Sequence, residues 1–473
     1  MGHRSQIETL HNEMADIVSA KYVSTSVFER IKNAQDPFPY ELEETQIPFI
    51  VVLPGNKEEI QQIVRYADAN GIPIYIRGSG THLAGASRPH APGIFLNTRR
   101  LNKIEFLEDY GFFECEPGCI CANVEQALEK RGYFFPMAPG SRLIATMGGL
   151  ISNNTSGHVI DTSIGKPGDY VYGLEVVLPN GEFIETGTLG LRRPAGTDLT
   201  KFFIGGDGLL GVITKIRMRL LPSVQKAYGV VIFDDLVRMA RGVQRMYREL
   251  RPAPLFMEFL DQKSATIGYQ IKGMEPPKGS VIFFVSIGDT DEEAKHKVLQ
   301  ILKSFEAEGP VEASMIDDMD VWQKLWSTRE VIGSFLMQKD GMQLSAAEIA
   351  TNLKDLPECM VEIQHFNEGL PTLGQLELFL FGHIGGLTFH PGVLIPRDWD
   401  NDKKRQAVKE RFQREAELNL KYGTCGGEWG QFAKRTPFWI QRYGEPSYEL
   451  VKRLKSAFDP NNILNPGILE GYR

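Results

Sequence analysis

The stretch PIYIRGSGTHLAG, residues 73–85, decides how the rest of the chain is read. Its opening, Ile74-Tyr75-Ile76, is a short apolar run rich in β-branched residues, the pattern of a buried strand. The run ends in Arg77-Gly78-Ser79-Gly80-Thr81, where two glycines and two hydroxyl residues predict a tight turn with uncovered N–H groups. Such a nest of backbone donors, with no Cβ in the way, suits a diphosphate. The dinucleotide fingerprint G-x-G-x-x-G would require glycine at 83, where Leu83 stands. An ordinary glycine turn therefore stays open for this stretch taken alone.

A second stretch, PGSRLIATMGGLISNNTSG at 139–157, crowds Gly140, Gly148, Gly149 and Gly157 with Ser141, Thr146, Ser152, Asn153 and Asn154. Nearly uncharged and dense in small polar groups, it is a poor helix and a poor solvent loop, and it suits a backbone wrapped round a large flat polar ligand. A third, FIGGDGLLGVIT at 203–214, repeats the glycine density ahead of a strand. At these residues the chain resembles the FAD-binding proteins of the vanillyl-alcohol oxidase and p-cresol methylhydroxylase (PCMH) type. Within them it is most similar to the D-2-hydroxyacid dehydrogenase, D-lactate dehydrogenase and glycolate oxidase flavin-subunit branch, from about Gln46 onward. The resemblance implies that Arg77, Gly78, Ser79, Gly80, Thr81 and His82 hold FAD. It assigns the same role to Pro139, Gly140, Ser141, Thr146, Gly148, Gly149, Ser152, Asn153, Ser156 and Gly157, and to Gly211, Val212, Ile213 and Asn465. Covalent members tether the flavin through a histidine in the first loop. Here Thr81 stands at that place and His82 is one residue off, so non-covalent FAD is expected.

The 473 residues suffice for two or three domains with full cores. A net charge of −8 and the absence of a lysine-arginine run argue against a nucleic-acid surface. No apolar stretch reaches the ~18 residues of a membrane span, and the opening MGHRSQIETL has neither the apolar core of a secretory signal nor, with Gln6, a myristoylation pattern. The five cysteines (115, 119, 121, 359, 425) include no C-x-x-C, which points away from an iron–sulfur cluster or zinc ribbon and toward reduced thiols in a cytoplasmic protein. The sequons at 153–156 are then without consequence.

Along the chain, residues 1–45 show helical spacing at Ile7, Leu10, Met14, Ile17 and Val18. A strand is predicted at 49–53 and an amphipathic helix at 57–70, with Ile60, Ile63, Val64 and Ala67 on one face and Gly71 as C-cap. This βαβ opening delivers the first glycine loop at a strand's C-terminal end. Strands follow at 93–98 and 112–116, a helix at 121–131, and a hairpin at 170–186 turning on Asn180-Gly181 as type I′. After Pro222, strands at 230–233, 257–260 and 281–287 alternate with helices at 235–250 and 291–307, predicting a mostly antiparallel sheet with helices on one face. A helix at 321–338, a β-rich segment at 376–395, a charged helix at 402–421 and a tail helix at 448–458 complete the pattern. The expected fold class is α+β: a PCMH-type FAD-binding domain in two α/β lobes plus an antiparallel-sheet cap domain with flanking helices. Its expected parts are an N-terminal helical segment at 1–45, FAD binding at 46–222, the cap at 223–440 and a returning segment at 441–473.

The second chemical constellation is FGHIGGLTFHPG at 381–392. A two-residue turn at Gly385-Gly386 would put His383 opposite Thr388 and diagonal to His390 on one face. Two histidines so placed can share a divalent metal, with Glu428 of Cys425-Gly426-Gly427-Glu428-Trp429-Gly430 as third ligand. The resembled branch reads His-x-Gly-Asp-Gly-Asn-x-His and Gly-Glu-His-Gly, so all three ligands are kept. The departures are Gly386-Leu387-Thr388 in place of Asp-Gly-Asn, and Trp429 in place of the histidine that takes the substrate hydroxyl proton. Indole is a donor only. Another group must then deprotonate the substrate, or the metal must suffice, or the reaction differs; Trp429 also favours a bulky or aromatic substrate. Arg329 matches the arginine that pairs with the substrate carboxylate, against the plainer reading of a surface pair with Glu330. Gly333 and Leu344 near the second-carboxylate positions disfavour hydroxyglutarate.

Arg329, Glu428 and Trp429 are thus the candidate catalytic residues, and His383, His390 and Glu428 the candidate ligands of one Zn²⁺ or Mn²⁺. The expected activity is FAD-dependent oxidation of the CH–OH group of a 2-hydroxy acid by hydride transfer to flavin N5. Electrons would pass to an electron-transferring flavoprotein or an iron–sulfur subunit, with direct use of oxygen left open. The partners expected are that small molecule and that acceptor, with a homo-oligomer or membrane association through a partner also open. The alternatives are an electron-relaying subunit, an oxidase of a bulky or aromatic alcohol, and a non-redox enzyme like the alkyl-dihydroxyacetone-phosphate synthases.

Overall fold

The helix at Lys57–Asn70 starts where Asn56 Oδ1 accepts the Glu59 N–H at 2.8 Å and stops where Gly71 turns left-handed at φ 61°. Its apolar stripe, Ile60, Ile63, Val64 and Ala67, is fully buried against a four-stranded sheet. This computed structural model describes residues 3–39, 41–155, 157–160, 164–192, 195–250, 253–426, 428 and 436–469. The sheet runs Val23–Ser24, Ile50–Val52, Ile94–Asn97, Ile74–Arg77; the last three strands are parallel, and the first pairs antiparallel with Ile50–Val52. The N-terminal helix His3–Val18 feeds Leu10, Met14 and Val18 into the same core, so the opening residues are part of this layer. Ile463 and Leu464 enter that core from the far end of the chain.

A five-stranded antiparallel sheet follows in the order Ile104–Leu107, Phe112–Cys115, Val212–Arg219, Val171–Val177, Phe183–Glu185. The hairpin turn differs from the type I′ expectation. Leu178 N–H bonds Glu182 O at 2.7 Å, and only Gly181 of the Asn-Gly pair has positive φ, 76°. Pro179 explains this, because its ring fixes φ negative and converts the connection to a three-residue loop ending in a left-handed glycine. The second glycine stretch is also not wholly irregular. Met147–Ser152 forms a short helix, anchored by buried Met147, Leu150 and Ile151, with Gly148 set against Pro117.

The second half holds the largest sheet: Glu312–Ile316, Gln225–Phe233, Ser280–Gly288, Phe256–Leu260, Leu378–His383, Thr388–Pro396 and Met342–Ala346, with Ile349–Ala350 also on Thr388–Pro396. Helices cover both faces, not one. Val231, Phe233, Ile282 and Phe284 pack with Leu236–Glu249, Asp291–Glu306 and Leu356–Gln364. The alternate residues Val230, Ile232, Val281, Phe283 and Val285 pack with Gln262–Ile271 and Met319–Gln338. The near-continuous apolar strand Ser280–Gly288 is the sequence mark of burial on both sides. No helix among the described residues is long and apolar enough to cross a membrane.

Candidate active site

The first glycine loop leaves the C-terminal end of Ile74–Arg77 and meets the second stretch directly. A Cβ at Gly78 would lie 2.0 Å from Thr146 Oγ1, and Gly80 takes φ 64°. Arg77 supports the loop from below, its guanidinium donating to Gln35 O at 2.5 Å and Ser87 Oγ at 3.4 Å; burial lowers its pKa to about 10. His82 is turned into its own loop, where Nδ1 accepts the Ala84 N–H at 3.1 Å. Gly157, at φ 67°, presses on the backbone of Ala138 and Pro139, and the His158 N–H bonds Ala138 O at 3.1 Å, which closes the ends of the second stretch. The third stretch is tied in by Asp207 N–H to Ser152 O at 3.0 Å. Gly211 lies against Val176, and Val212 and Ile213 pair with Val177 and Val176 in the sheet. Asn465 reaches both loops: Oδ1 accepts the Ile76 N–H at 3.1 Å and Nδ2 donates to Asp207 O at 2.8 Å. Pro139, Gly140, Ser141 and Thr81 lie in these same loops, and Gly149 and Ser152 on the short helix Met147–Ser152. Ser156 is outside the described residues.

Three polar atoms in this cradle, Ser79 Oγ, Thr146 Oγ1 and Asn153 Oδ1, are buried without a hydrogen-bond partner among the described residues. Buried polar atoms are nearly always paired. Three orphans converging from two glycine stretches fit the contacts of a polar cofactor, so the residues present suit FAD.

Facing the cradle is a buried polar cluster on the inner face of the large sheet. Along Phe256–Leu260 the side chains alternate: Met257 and Phe259 enter the outer core, Phe256 and Leu260 the inner one, and Glu258 lies between the latter two. His383 and His390 share that face. His383 is register partner of Thr388, and Phe381 of His390. The expected register holds although the connection differs from the two-residue turn expected, being a 3₁₀ turn at Ile384–Gly386 closed by Leu387 at φ 57°. Gly385 is favoured instead by close approach, since a Cβ there would come 2.8 Å from Met257 Cβ.

His383 Nδ1 lies 2.6 Å from Glu258 Oε1, and its Nε2 3.2 Å from Glu428 Oε1. His390 Nε2 is 3.5 Å from the other Glu428 oxygen, and its Nδ1 faces Ala347 O at 3.3 Å. Arg329 places Nη2 and Nε on Glu258 Oε2 at 2.7 and 3.1 Å, and its predicted surface partner Glu330 pairs with Arg142 instead. His158 brings Nδ1 to 2.9 Å from Glu258 Oε1 and crosses the His383 ring edge-on at 5.1 Å. Glu428 is held by its backbone, its N–H donating to Glu348 Oε1 at 2.5 Å and its carbonyl accepting from Asn153 Nδ2 at 2.6 Å.

The electrostatics follow from these contacts. Burial alone would depress the His383 pKa, but Glu258 and Glu428 on its two ring nitrogens outweigh that and raise it to about 10. Burial would raise both carboxylates; His158, His383 and Arg329 hold Glu258 well below the usual range, and His383 and His390 do so for Glu428. Burial lowers the His158 pKa. The structure therefore brings His383, His390, Glu428 and Arg329 together, while Trp429 lies outside the described residues. Sequence reasoning missed Glu258, Glu348 and His158. Glu258 had a signal, a single carboxylate inside an apolar strand, and His158 another, directly after the second glycine stretch.

A glycine-loop cradle facing an antiparallel-sheet cap with this cluster defines a flavoprotein oxidoreductase. Residues 48–187 match the family described as FAD binding domain, and residues 222–469 that of FAD linked oxidases, C-terminal domain; the chain belongs to the FAD-linked oxidases and binds FAD. It is 30% identical over 432 residues to the glycolate oxidase subunit GlcD of Bacillus subtilis (strain 168), covering 89% of this chain and 88% of that one. It is 29% identical over 429 residues to a D-lactate dehydrogenase of Archaeoglobus fulgidus, covering 89% and 90%. Among solved structures, 4-ethylphenol oxidase from Gulosibacter chungangensis superposes with a TM-score of 0.79 at 17% identity, over 99% of this chain and 98% of that one, and shares the PCMH-type fold.

Proposed function

We propose that the protein oxidises the hydroxyl-bearing carbon of a 2-hydroxy acid, D-lactate- or glycolate-like or bulkier. The observation that carries this reading is the convergence of His383 Nε2 and His390 Nε2 on the two Glu428 oxygens, beside the Arg329–Glu258 pair. Two imidazoles and a carboxylate suit Zn²⁺ or Mn²⁺ better than Mg²⁺, and such an ion would supply Lewis acidity to a substrate hydroxyl. FAD, when bound, supplies the two-electron acceptor. Arg329 is a planar cation whose Nε and Nη2 are taken by Glu258, which fixes its orientation, and whose Nη1 is left to meet a substrate carboxylate. The substrate thus meets one group for its carboxylate and another for its oxygen, which holds the reacting carbon in one pose. The names of the relatives, a glycolate oxidase subunit and D-lactate dehydrogenases, support this substrate class. Phe256 and Trp326, with ring centroids 5.0 Å apart, and Phe381 under Arg329 add an aromatic wall that favours a bulky substituent.

The division into FAD binding at 46–222 and substrate binding at 223–440, with 441–473 returning, goes with this reading. So does an external electron acceptor, an electron-transferring flavoprotein or an iron–sulfur subunit, because the cysteine spacing offers no cluster of the chain's own. The test is anaerobic bleaching of the bound flavin by a panel of 2-hydroxy acids and aromatic alcohols, with metal analysis alongside. Bleaching by a hydroxy acid and one divalent ion per chain are expected, with the ion lost from His383→Ala, His390→Ala and Glu428→Ala while the flavin spectrum persists. Silence across the panel from flavin-loaded protein would sink the dehydrogenase reading in favour of an electron relay.

A further inference from the structure

Glu258 has a pattern of contacts that a packing role does not explain. It is fully buried on a strand whose other members are Phe256, Met257, Phe259 and Leu260. Burying a carboxylate is costly unless it is fully paired, and an apolar side chain would fill the same place without that cost. Its two oxygens divide the work. Oε2 takes both Arg329 contacts, and Oε1 takes His383 Nδ1 at 2.6 Å, while His158 Nδ1 lies 2.9 Å from Oε1 without the angles of a hydrogen bond. An ionised carboxylate accepts only, so His383 Nδ1 donates to Glu258, while Nε2, which faces Glu428, is the nitrogen that a metal between His383, His390 and Glu428 would take. Fixing the far nitrogen of a ligating histidine in this way sets its ring orientation and basicity.

We propose that Glu258 is the positioning residue of the site, one buried carboxylate that orients the ring of His383 for the metal and the guanidinium of Arg329 for the substrate. The inference rests on the function proposed above for those two residues. It explains how residues from three distant elements are aligned, since Arg329 lies 71 positions from Glu258 and His383 lies 125. An amide at 258 keeps the size but offers one acceptor where several donors converge, so it faces at least one of them with its own N–H groups. Arg329 and His383 would then lose alignment together while the glycine loops remain intact.

The test uses the FAD-loaded full chain with Glu258→Gln and Glu258→Asp. Melting temperature and flavin spectrum establish that each variant is folded and loaded. The first readout needs neither metal nor substrate: a low-field imidazole N–H proton resonance in ¹⁵N-histidine-labelled protein, assigned by its absence in His383→Asn. It is expected in the wild type, lost or moved upfield in Glu258→Gln, and kept in Glu258→Asp. The second is Co²⁺ titration followed by visible absorption, where Glu258→Gln should weaken binding by about 10–100-fold and Glu258→Asp by less. The third is steady-state kinetics with whichever hydroxy acid bleaches the flavin, where KM should rise more than kcat falls, because Arg329 acts in binding. An unmoved resonance in a folded Glu258→Gln protein overturns the proposal, and so do unchanged cobalt affinity and KM. Failure of the wild type to take up cobalt or to bleach would instead remove the functional reading, and the resonance would still decide the role of Glu258.

Discussion

At Gly157 two constraints coincide: φ is 67°, and a Cβ would lie 2.4 Å from backbone atoms of Ala138 and Pro139. Gly157→Ala should therefore destabilise by about 1–3 kcal/mol from the left-handed backbone alone, with the clash added to it. Because this crossing closes the stretch that carries Thr146 and Asn153, the variant should also purify with less than one FAD per chain. Thermal melts with and without added FAD, together with the flavin-to-protein absorbance ratio, measure both effects; full FAD occupancy at an unchanged melting point would show that the crossing does not shape the cradle. Single residues were unevenly legible. His383, His390 and Glu428 stood out because rare residue types sat in small-residue surroundings. Glu258 is legible only as a lone carboxylate in a core strand, because its partners come from elements the sequence gives no means of juxtaposing. The fork of Arg329 was legible as a cation on a helix, whereas its occupation by a carboxylate from another strand was not.

Elements with their own punctuation were read closely. Lys57–Asn70 carries its cap, its stripe and its terminal glycine within 16 residues, counting Asn56 and Gly71, and needs nothing from elsewhere to be recognised. The hairpin after Val177 was misread because Pro179 governs its turn more strongly than the Asn-Gly pair that follows. The covering of both sheet faces is not legible because Gln262–Ile271, a short helix on the second face, carries weak periodicity. One helix supplies a pH-dependent contact across such elements. Glu410, on Asn401–Lys421, accepts the N–H groups of Thr372 and Leu373 at 2.9 and 3.0 Å and the Thr372 hydroxyl at 2.8 Å, capping the turn Leu373–Gln375. Burial would raise its pKa, but these bonds and Gln406 outweigh burial and lower it. A carboxylate depressed on folding stabilises above its unfolded pKa and loses that contribution as pH falls through the folded value. Glu410→Gln should therefore melt below the wild type at about pH 7, with the gap narrowing toward about pH 3–4. Melts across that range check this, and a gap that widens on acidification would contradict it.

On the scale of the molecule, the cradle is assembled from both ends of the sequence. Ile74 donates its N–H to Ile463 O at 2.7 Å, Asn465 returns its N–H to Ile74 O at 2.8 Å, and the Asn465 side chain spans from Ile76 to Asp207. Asn465→Ala removes the two side-chain bonds, to the part-buried Ile76 N–H and Asp207 carbonyl, at a cost of about 0.5–1.5 kcal/mol for each. Its signature should be flavin loss at concentrations where the wild type stays loaded, although residue 465 lies far from the glycine loops in sequence. Equilibrium dialysis against FAD measures this, and equal affinity in the two proteins would assign Asn465 to the sheet alone. The returning segment also orders events in time. The Asn465–Ile76 bond spans 389 residues, which a ribosome adding about 5–20 residues per second takes on the order of 20–80 s to make. Throughout that interval the first glycine loop stands in the cell without the strap that braces it. Cofactor capture is therefore expected of the finished polypeptide, and a product stopping short of residue 463 should purify colourless.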